Sequence, residues 1–371
     1  VIGIHGNEIT WVSLDACLEK TKRLEKHLQE RQFCDAVRLR GKLFQLLLSS
    51  YVILHGMRSS PSIDHTFMSG IRRVGIIQVG RASMGQCIVT KAFVGYCQNR
   101  GYSILGIKDG FEGLLKKSFI SLSWDQVKDW SSKINDCLGS TRLPASAHGL
   151  DRINDAIAHL NLSGMMILGT FPAFESLCEF YEARFKYRYL GIPMCMVPVS
   201  VLNNIPGTEV SVGSDSALNE LVSYCDKMRQ VAKANKNYVY IIETMGQNCG
   251  YLTTMCAVCV GADAAYIKQE PFTLDTLLED AGHIKKKIAK SGERNALVLI
   301  SECGNQLYNT DFVHKLFAEE GKGVFSTRSG SMGQIQLGVL PSPLDRQNAT
   351  IQGLRCGEFL LQTIESITPN E

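Results

Sequence analysis

The polar groups best placed for chemistry gather in one stretch, Val197-Pro-Val-Ser-Val-Leu-Asn-Asn-Ile-Pro-Gly-Thr208. The apolar run Pro193 to Pro198 before it has the length of a buried strand. After it, Ser214 and Asp215 stand where a helix should begin, and Ala217, Leu218, Leu221, Val222 and Cys225 repeat at helical spacing. The loop Leu202 to Gly207 therefore lies at the carboxyl end of a strand, where ligands bind in open α/β sheets. From the local pattern alone, an ordinary strand-to-helix connection reads equally well. A second loop, Val79-Gly-Arg-Ala-Ser-Met-Gly85, has two glycines ahead of a helix N-terminus, which can cradle a phosphate. Cys256-Ala-Val-Cys259 has redox or zinc spacing, but sits in the apolar run Met255 to Val260 without a second pair or a nearby His. Buried thiols acting as small hydrophobes are the reading there, and no structural metal is assigned.

The elements that would position these loops alternate between strand and helix from Val74 onward, the signature of an α/β fold with mostly parallel sheets. Strands are predicted over 74–79, 103–107, 165–168, 194–199, 238–242, 264–267 and 296–300. Helices are predicted over 84–99, 150–160, 173–185, 215–234, 249–260, 276–289 and 310–320. A strand pair around 324–337 and a helix over 345–364 follow. Lys285, Lys286 and Lys287 read as a solvated C-terminal turn favoured by the helix dipole. Upstream, a turn or hairpin over 1–12, a charged helix over 14–30 and a second helix over 34–54 form a helical pair.

The chain has 371 residues, 45% hydrophobic and 20% charged, enough to bury a core in one large domain or two ordinary ones. A net charge of +3, without a basic block interleaved with aromatics, gives no footprint for nucleic acid or a membrane surface. The apolar stretches are too short to span a bilayer, and no signal peptide is evident. The chain opens on Val1 rather than Met, which suggests a piece of a longer polypeptide. Thirteen scattered cysteines read as reduced thiols in the cytoplasm.

The opening stretch resembles the sugar-phosphate loop of the phosphofructokinase family, a strand followed by P-x-T-I-D-N-D or P-x-T-V-S-N-N and then x-P-G-[ST]. Lys108-Asp-Gly-Phe-Glu-Gly-Leu114, Ile242-Glu-Thr-Met-Gly-Gln-Asn-Cys-Gly-Tyr251 and Pro341-Ser-Pro-Leu-Asp-Arg346 match further family motifs in order. The resemblance implies a three-layer fold with a ligand cleft between two lobes. It also implies a division into a helical tail of an N-terminal catalytic half (1–56), a linker (57–72) and a C-terminal regulatory domain, incomplete at its end (73–371).

Catalytic members of the family read G-G-D-x-P-G in the glycine loop, and that Asp and Pro are absent here. They read G-G-D-G-S after a later strand, where the acid helps hold the magnesium of MgATP; here Phe171 takes that place. They use the Asp of T-I-D-N-D as the base, and here the position is Leu202. Mg2+ and ATP are thus expected in the parent's first half and not in this one. The sugar-phosphate ligands fall, by resemblance, on Arg142, Ser200, Asn203, Asn204, Met245, Gly246, Gln247, Glu302 and Arg328. Tyr238, Gln334 and Leu337 replace an Arg, a His and a Gln or Arg, although Gln334 keeps hydrogen-bonding capacity. The expectation is an effector half of a 6-phosphofructokinase with a degraded site for fructose 2,6-bisphosphate or fructose 6-phosphate. It would work beside the catalytic half of the same polypeptide in a homo-oligomer, by family analogy a tetramer. A purely structural half is the alternative, and a catalyst in its own right is opposed by Phe171 and Leu202.

Overall fold

Strands buried on both faces read as unbroken apolar runs, and Gly-Met-Met-Ile-Leu-Gly at 164–169 is such a run. In the computed structural model it lies near the middle of a five-stranded sheet. The structure describes Lys26, Gly70 and residues 72–132, 137–234, 237–247, 249–290, 295–337 and 340–367. The hairpin and helices expected over 1–54 apart from Lys26, and the linker apart from Gly70 and Arg72, lie outside the described residues.

The first sheet comprises β1 (Arg73–Val79), β2 (Ser103–Ile107), β3 (Phe119–Leu122), β4 (Gly164–Gly169) and β5 (Met194–Pro198), in the order β3-β2-β1-β4-β5. Only β3 runs antiparallel to its neighbour. Helices α1 (Gln86–Gln98), α2 (Gly110–Leu115), α3 (Trp124–Val127), α4 (Leu150–Leu160) and α5 (Phe171–Ala183) surround it. Side-chain alternation along β4 supplies two cores. Met166 and Leu168 pack with Phe93 of α1 and with Leu360 and Ile364 of the last helix. Met165 and Ile167 pack with Ile153, Ile157 and Phe180 on the other face.

The second sheet is wholly parallel, in the order β7-β8-β6-β9, from β6 (Tyr238–Thr244), β7 (Ala264–Tyr266), β8 (Asn295–Ser301) and β9 (Ser326–Ser331). Helices α6 (Ser214–Ala234) and α7 (Tyr251–Val260) cover one face through Leu221, Leu252 and Cys256. Helices α8 (Leu274–Lys290) and α9 (Thr310–Glu320) cover the other through Leu277, Ile284 and Phe317. Helix α10 (Pro343–Ile367) returns to the first lobe and packs along α1. Among the described residues, no helix is long and apolar enough to cross a membrane.

Several expectations are corrected. The strand pair over 324–337 is a single strand, β9, followed by a 3-10 turn over Gly333–Leu337. Gly333 breaks the extension with a φ of +49°. Helix α1 starts at Gln86 rather than 84, because Gly85 before it holds a left-handed φ of 88°. Helix α5 starts two residues early, at Phe171, since Pro172 suits a first helical turn. The lysine run on α8 is not merely solvated: Lys287 Nζ lies 2.7 Å from Asp263, and Lys285 Nζ donates to the Glu320 carbonyl at 2.7 Å. Of the Cys-x-x-Cys pair on α7, Cys256 is buried but Cys259 is exposed.

Candidate functional site

Parallel register brings three loops to one level. Val79 of β1 pairs with Gly169 of β4, and Gly169 pairs with Pro198 of β5. The segments that leave these residues therefore meet at the carboxyl edge of the first sheet, the usual ligand position in such folds. They are the glycine loop, the turn into α5 and the Ser200 loop. A cleft of about 240 Å³ opens there, closed from the second lobe by Met245, Gln247 and Leu337.

The electrostatics of this cleft are one-sided. Arg81 and Arg142 line it, and no Asp or Glu does among the described residues. Helices α1 and α5 both begin at its wall, and helix N-termini favour anions. Ser83, in the turn before α1, has a buried hydroxyl without a hydrogen-bond partner, as has the amide nitrogen of Gln86. Of the two, Ser83 lines the cleft with both guanidiniums, an arrangement that suits a bound oxyanion.

Local chemistry explains how the loops hold their shape. Gly80, at a φ of +111°, turns the chain where a Cβ would collide with Thr170. Its N–H donates to the Thr141 carbonyl at 2.6 Å, and the Ser140 hydroxyl donates back to its carbonyl at 2.8 Å. Those bonds fix the segment that carries Arg142. In the sugar loop, Asn203 takes a left-handed φ of 51°, which Asn tolerates better than most residues. Its amide nitrogen donates to the Glu209 carbonyl at 2.8 Å, and its amide oxygen accepts from the Ser211 N–H at 2.7 Å. Ser200 donates to the Asn204 amide oxygen at 3.1 Å.

The loop is anchored from below by Asp345, which is fully buried. Its carboxylate accepts from the Gly213 N–H at 2.9 Å, and from the Ser216 N–H and hydroxyl at 2.7 and 2.5 Å. It thus caps the N-terminus of α6 from the first turn of α10. Burial pushes this carboxyl above the usual range, while the bonds from Ser216 and Gly213 pull it back.

Of the residues singled out from sequence, Arg142, Ser200, Asn204, Met245 and Gln247 line the cleft, together with Phe171, Leu202 and Leu337. Gly246 sits buried behind Met245, where a Cβ would strike Ser301. Asn203 lies in the loop with its amide committed to Glu209 and Ser211. Glu302, Gln334, Arg328 and Tyr238 lie away from the cleft, as Asn203 and Gly246 also fall outside its lining. Glu302 is exposed just past β8, Gln334 is exposed in the 3-10 turn, and Arg328 is exposed on the edge strand β9. The Arg328 guanidinium stands 5.3 Å from the Tyr238 ring on neighbouring β6. Sequence reasoning missed Arg81, Ser83 and Thr170. Arg81 was legible in the glycine loop as a cation between two small residues.

Comparison with known proteins agrees with this architecture. The profile of the family described as phosphofructokinase matches residues 73–360. An ATP-dependent 6-phosphofructokinase of Schistosoma mansoni is 39% identical over 94% of this chain and 45% of that protein. The muscle-type ATP-dependent 6-phosphofructokinase of Mus musculus is 36% identical over 97% of the chain and 45% of its own length. The chain thus spans about half the length of the curated relatives it matches. Among solved structures, phosphofructokinase from Saccharomyces cerevisiae superposes with a TM-score of 0.77 at 30% identity, over 98% of this chain and 49% of that one. With the family profile matching most of its length, over a two-lobed α/β fold shared with these enzymes, the chain belongs to the phosphofructokinase family.

Proposed function

We propose that this chain is the non-catalytic half of an ATP-dependent 6-phosphofructokinase, and that its cleft is a weakened effector site for fructose 2,6-bisphosphate. The parent enzyme would transfer the γ-phosphoryl group of MgATP to fructose 6-phosphate, giving ADP and fructose 1,6-bisphosphate. One observation carries the reading: the cleft has two arginines and no carboxylate among the described residues. An anion can bind such a surface. Phosphoryl transfer cannot proceed there by the family's route, which needs a base for the sugar hydroxyl and charge neutralisation at the phosphates. Leu202 cannot accept a proton. Magnesium does not fit either, since it demands hard oxygen ligands and Phe171 offers a phenyl ring. MgATP belongs, on this reading, to the other half of the polypeptide.

The exposed Arg328 and its neighbour Tyr238 are available to complete the cleft of a second copy in a homo-oligomer, a tetramer by family analogy. A cytoplasmic site of action goes with glycolysis. A purely structural role is the second reading, favoured by Asn203, whose amide is already spent inside the loop.

The chain alone, given MgATP and fructose 6-phosphate in a coupled assay, is expected to show no turnover above background. Leu202→Asp by itself will not create activity, because Phe171 still denies the metal a ligand. Steady turnover by the wild-type chain would overturn the assignment.

A further inference from the structure

Two thiols meet at the edge of the first lobe's core. Cys87 is the second residue of α1, next to the glycine loop, and is 2% exposed. Cys137 is half-buried, five positions ahead of Arg142. Their sulfurs are 3.6 Å apart. A disulfide needs about 2.05 Å, so closure requires an approach of roughly 1.5 Å. The segment that carries Cys137 is tied to the loops that follow β1 and β2. The Leu138 carbonyl accepts from the Asp109 N–H at 2.9 Å, and Thr141 and Ser140 are bonded to Gly80. These bonds fix the backbone just after Cys137, which packs against the core that holds Cys87.

We propose that Cys87 and Cys137 form a peroxide-reactive dithiol that closes to a disulfide in the first turn of α1, just past the glycine loop. The half-buried Cys137 is the first to react. Its sulfur attacks one oxygen of hydrogen peroxide and breaks the O–O bond, giving a sulfenic acid and one water. The Cys87 sulfur then attacks the sulfenic sulfur, and the displaced hydroxide leaves as a second water with the Cys87 proton. The two thiols are oxidised by two electrons, and the peroxide is reduced to two waters.

A second pair in the same molecule serves as an internal reference. Cys225 and Cys256, between α6 and α7, also stand 3.6 Å apart, but both are fully buried. The hydrogen bond with Cys225, and then burial, raise the Cys256 thiol far above its usual range, so thiolate is scarce there. Separation is equal in the two pairs, and access differs.

The test uses the folded full chain, treated with a small excess of hydrogen peroxide, alkylated with iodoacetamide and digested with trypsin without reduction. Trypsin should release residues 82–91 and 134–142, each with one cysteine. The expected product is those two peptides joined by a bond that dithiothreitol cleaves. It should be the major form of both cysteines and be lost in Cys137→Ser, while Cys225 and Cys256 stay unlinked. Recovery of Cys87 and Cys137 as alkylated thiols, or oxidation of Cys137 to a sulfinic acid without linkage, would overturn the proposal. Preferential linkage of Cys225 to Cys256 would do so too.

Discussion

Replacing Asp345 by Ala is expected to lower the unfolding free energy by about 3 kcal/mol or more, the low-end cost of stranding three buried donors. The carboxylate accepts three hydrogen bonds in a fully buried position. Its removal orphans the Gly213 and Ser216 N–H groups and the Ser216 hydroxyl, and each buried unsatisfied donor costs about 1–3 kcal/mol. Gly213 holds a φ of +100° where a Cβ would collide with Ser83, so the clamp also requires glycine at this position. The damage should also reach the cleft, because the same residue joins α10 to the start of α6 just after the sugar loop. The pH dependence follows from burial, which raises this pKa. A raised carboxyl pKa means that folding takes up a proton. The stabilisation from this group is then complete below about pH 4, its unfolded pKa, and shrinks as pH rises through the folded value. The gap between wild type and Asp345→Ala should therefore widen on acidification. Urea melts at neutral pH and at about pH 4.5 measure both effects, and a loss under about 1 kcal/mol would show that the clamp is dispensable.

The double change Tyr238→Arg with Gln334→His is expected to tighten fructose 2,6-bisphosphate binding to the assembled parent by roughly a hundredfold. Each restored charge-assisted bond contributes about 1.5 kcal/mol at the low end of its range, and about 3 kcal/mol corresponds to somewhat over two decades in affinity. An arginine adds a planar, permanently charged fork, whereas the Tyr238 hydroxyl offers one neutral donor. Geometry sharpens the expectation. Arg328 lies over the Tyr238 ring at 5.3 Å, so a new guanidinium there faces an existing one until an anion sits between them. Neither Tyr238 nor Gln334 lines its own chain's cleft, so the gain should exist only where copies associate and should vanish in dissociated protein. Titration calorimetry above and below the dissociation concentration, located by sedimentation, distinguishes the cases. An equal gain in dissociated protein would place both residues in their own cleft. Absence of gain in the assembled protein would show that they meet no phosphate.

Most of the fold was legible because its strands are buried on both faces. The runs at 103–107 and 164–169 contain almost nothing polar, and the helices at 150–160 and 310–320 end within the expected residues. The failures have local causes. Strand β3, Phe-Ile-Ser-Leu at 119–122, is short and mostly exposed, so it left no burial pattern to read. Helix α2 carries two glycines in six residues and is held by packing rather than propensity. At the site, motif spacing located the loops that converge, because parallel register turns sequence position into a shared edge. It did not show which side chains face inward. Asn203 looked like a ligand, yet its amide closes the loop on itself. Arg81 lay in plain view in the glycine loop, where the missing Asp and Pro drew attention from the cation present. Asp345 stood in a recognised motif, but its role depends on partners about 130 positions away and needs coordinates to see.

The cleft, with no carboxylate among its described lining residues, is proposed to hold a sugar bisphosphate and not to transform it. Calorimetric titration of the full-length parent with fructose 2,6-bisphosphate, as wild type and as Arg142→Ala, tests it most directly. Arg142 is exposed, so its truncation should leave the fold intact. Wild type should give weak, saturable binding, and Arg142→Ala should weaken it by at least about tenfold, the equivalent of one charge-assisted bond. Binding that Arg142→Ala leaves unchanged, or no saturable binding in the wild type, would contradict the claim.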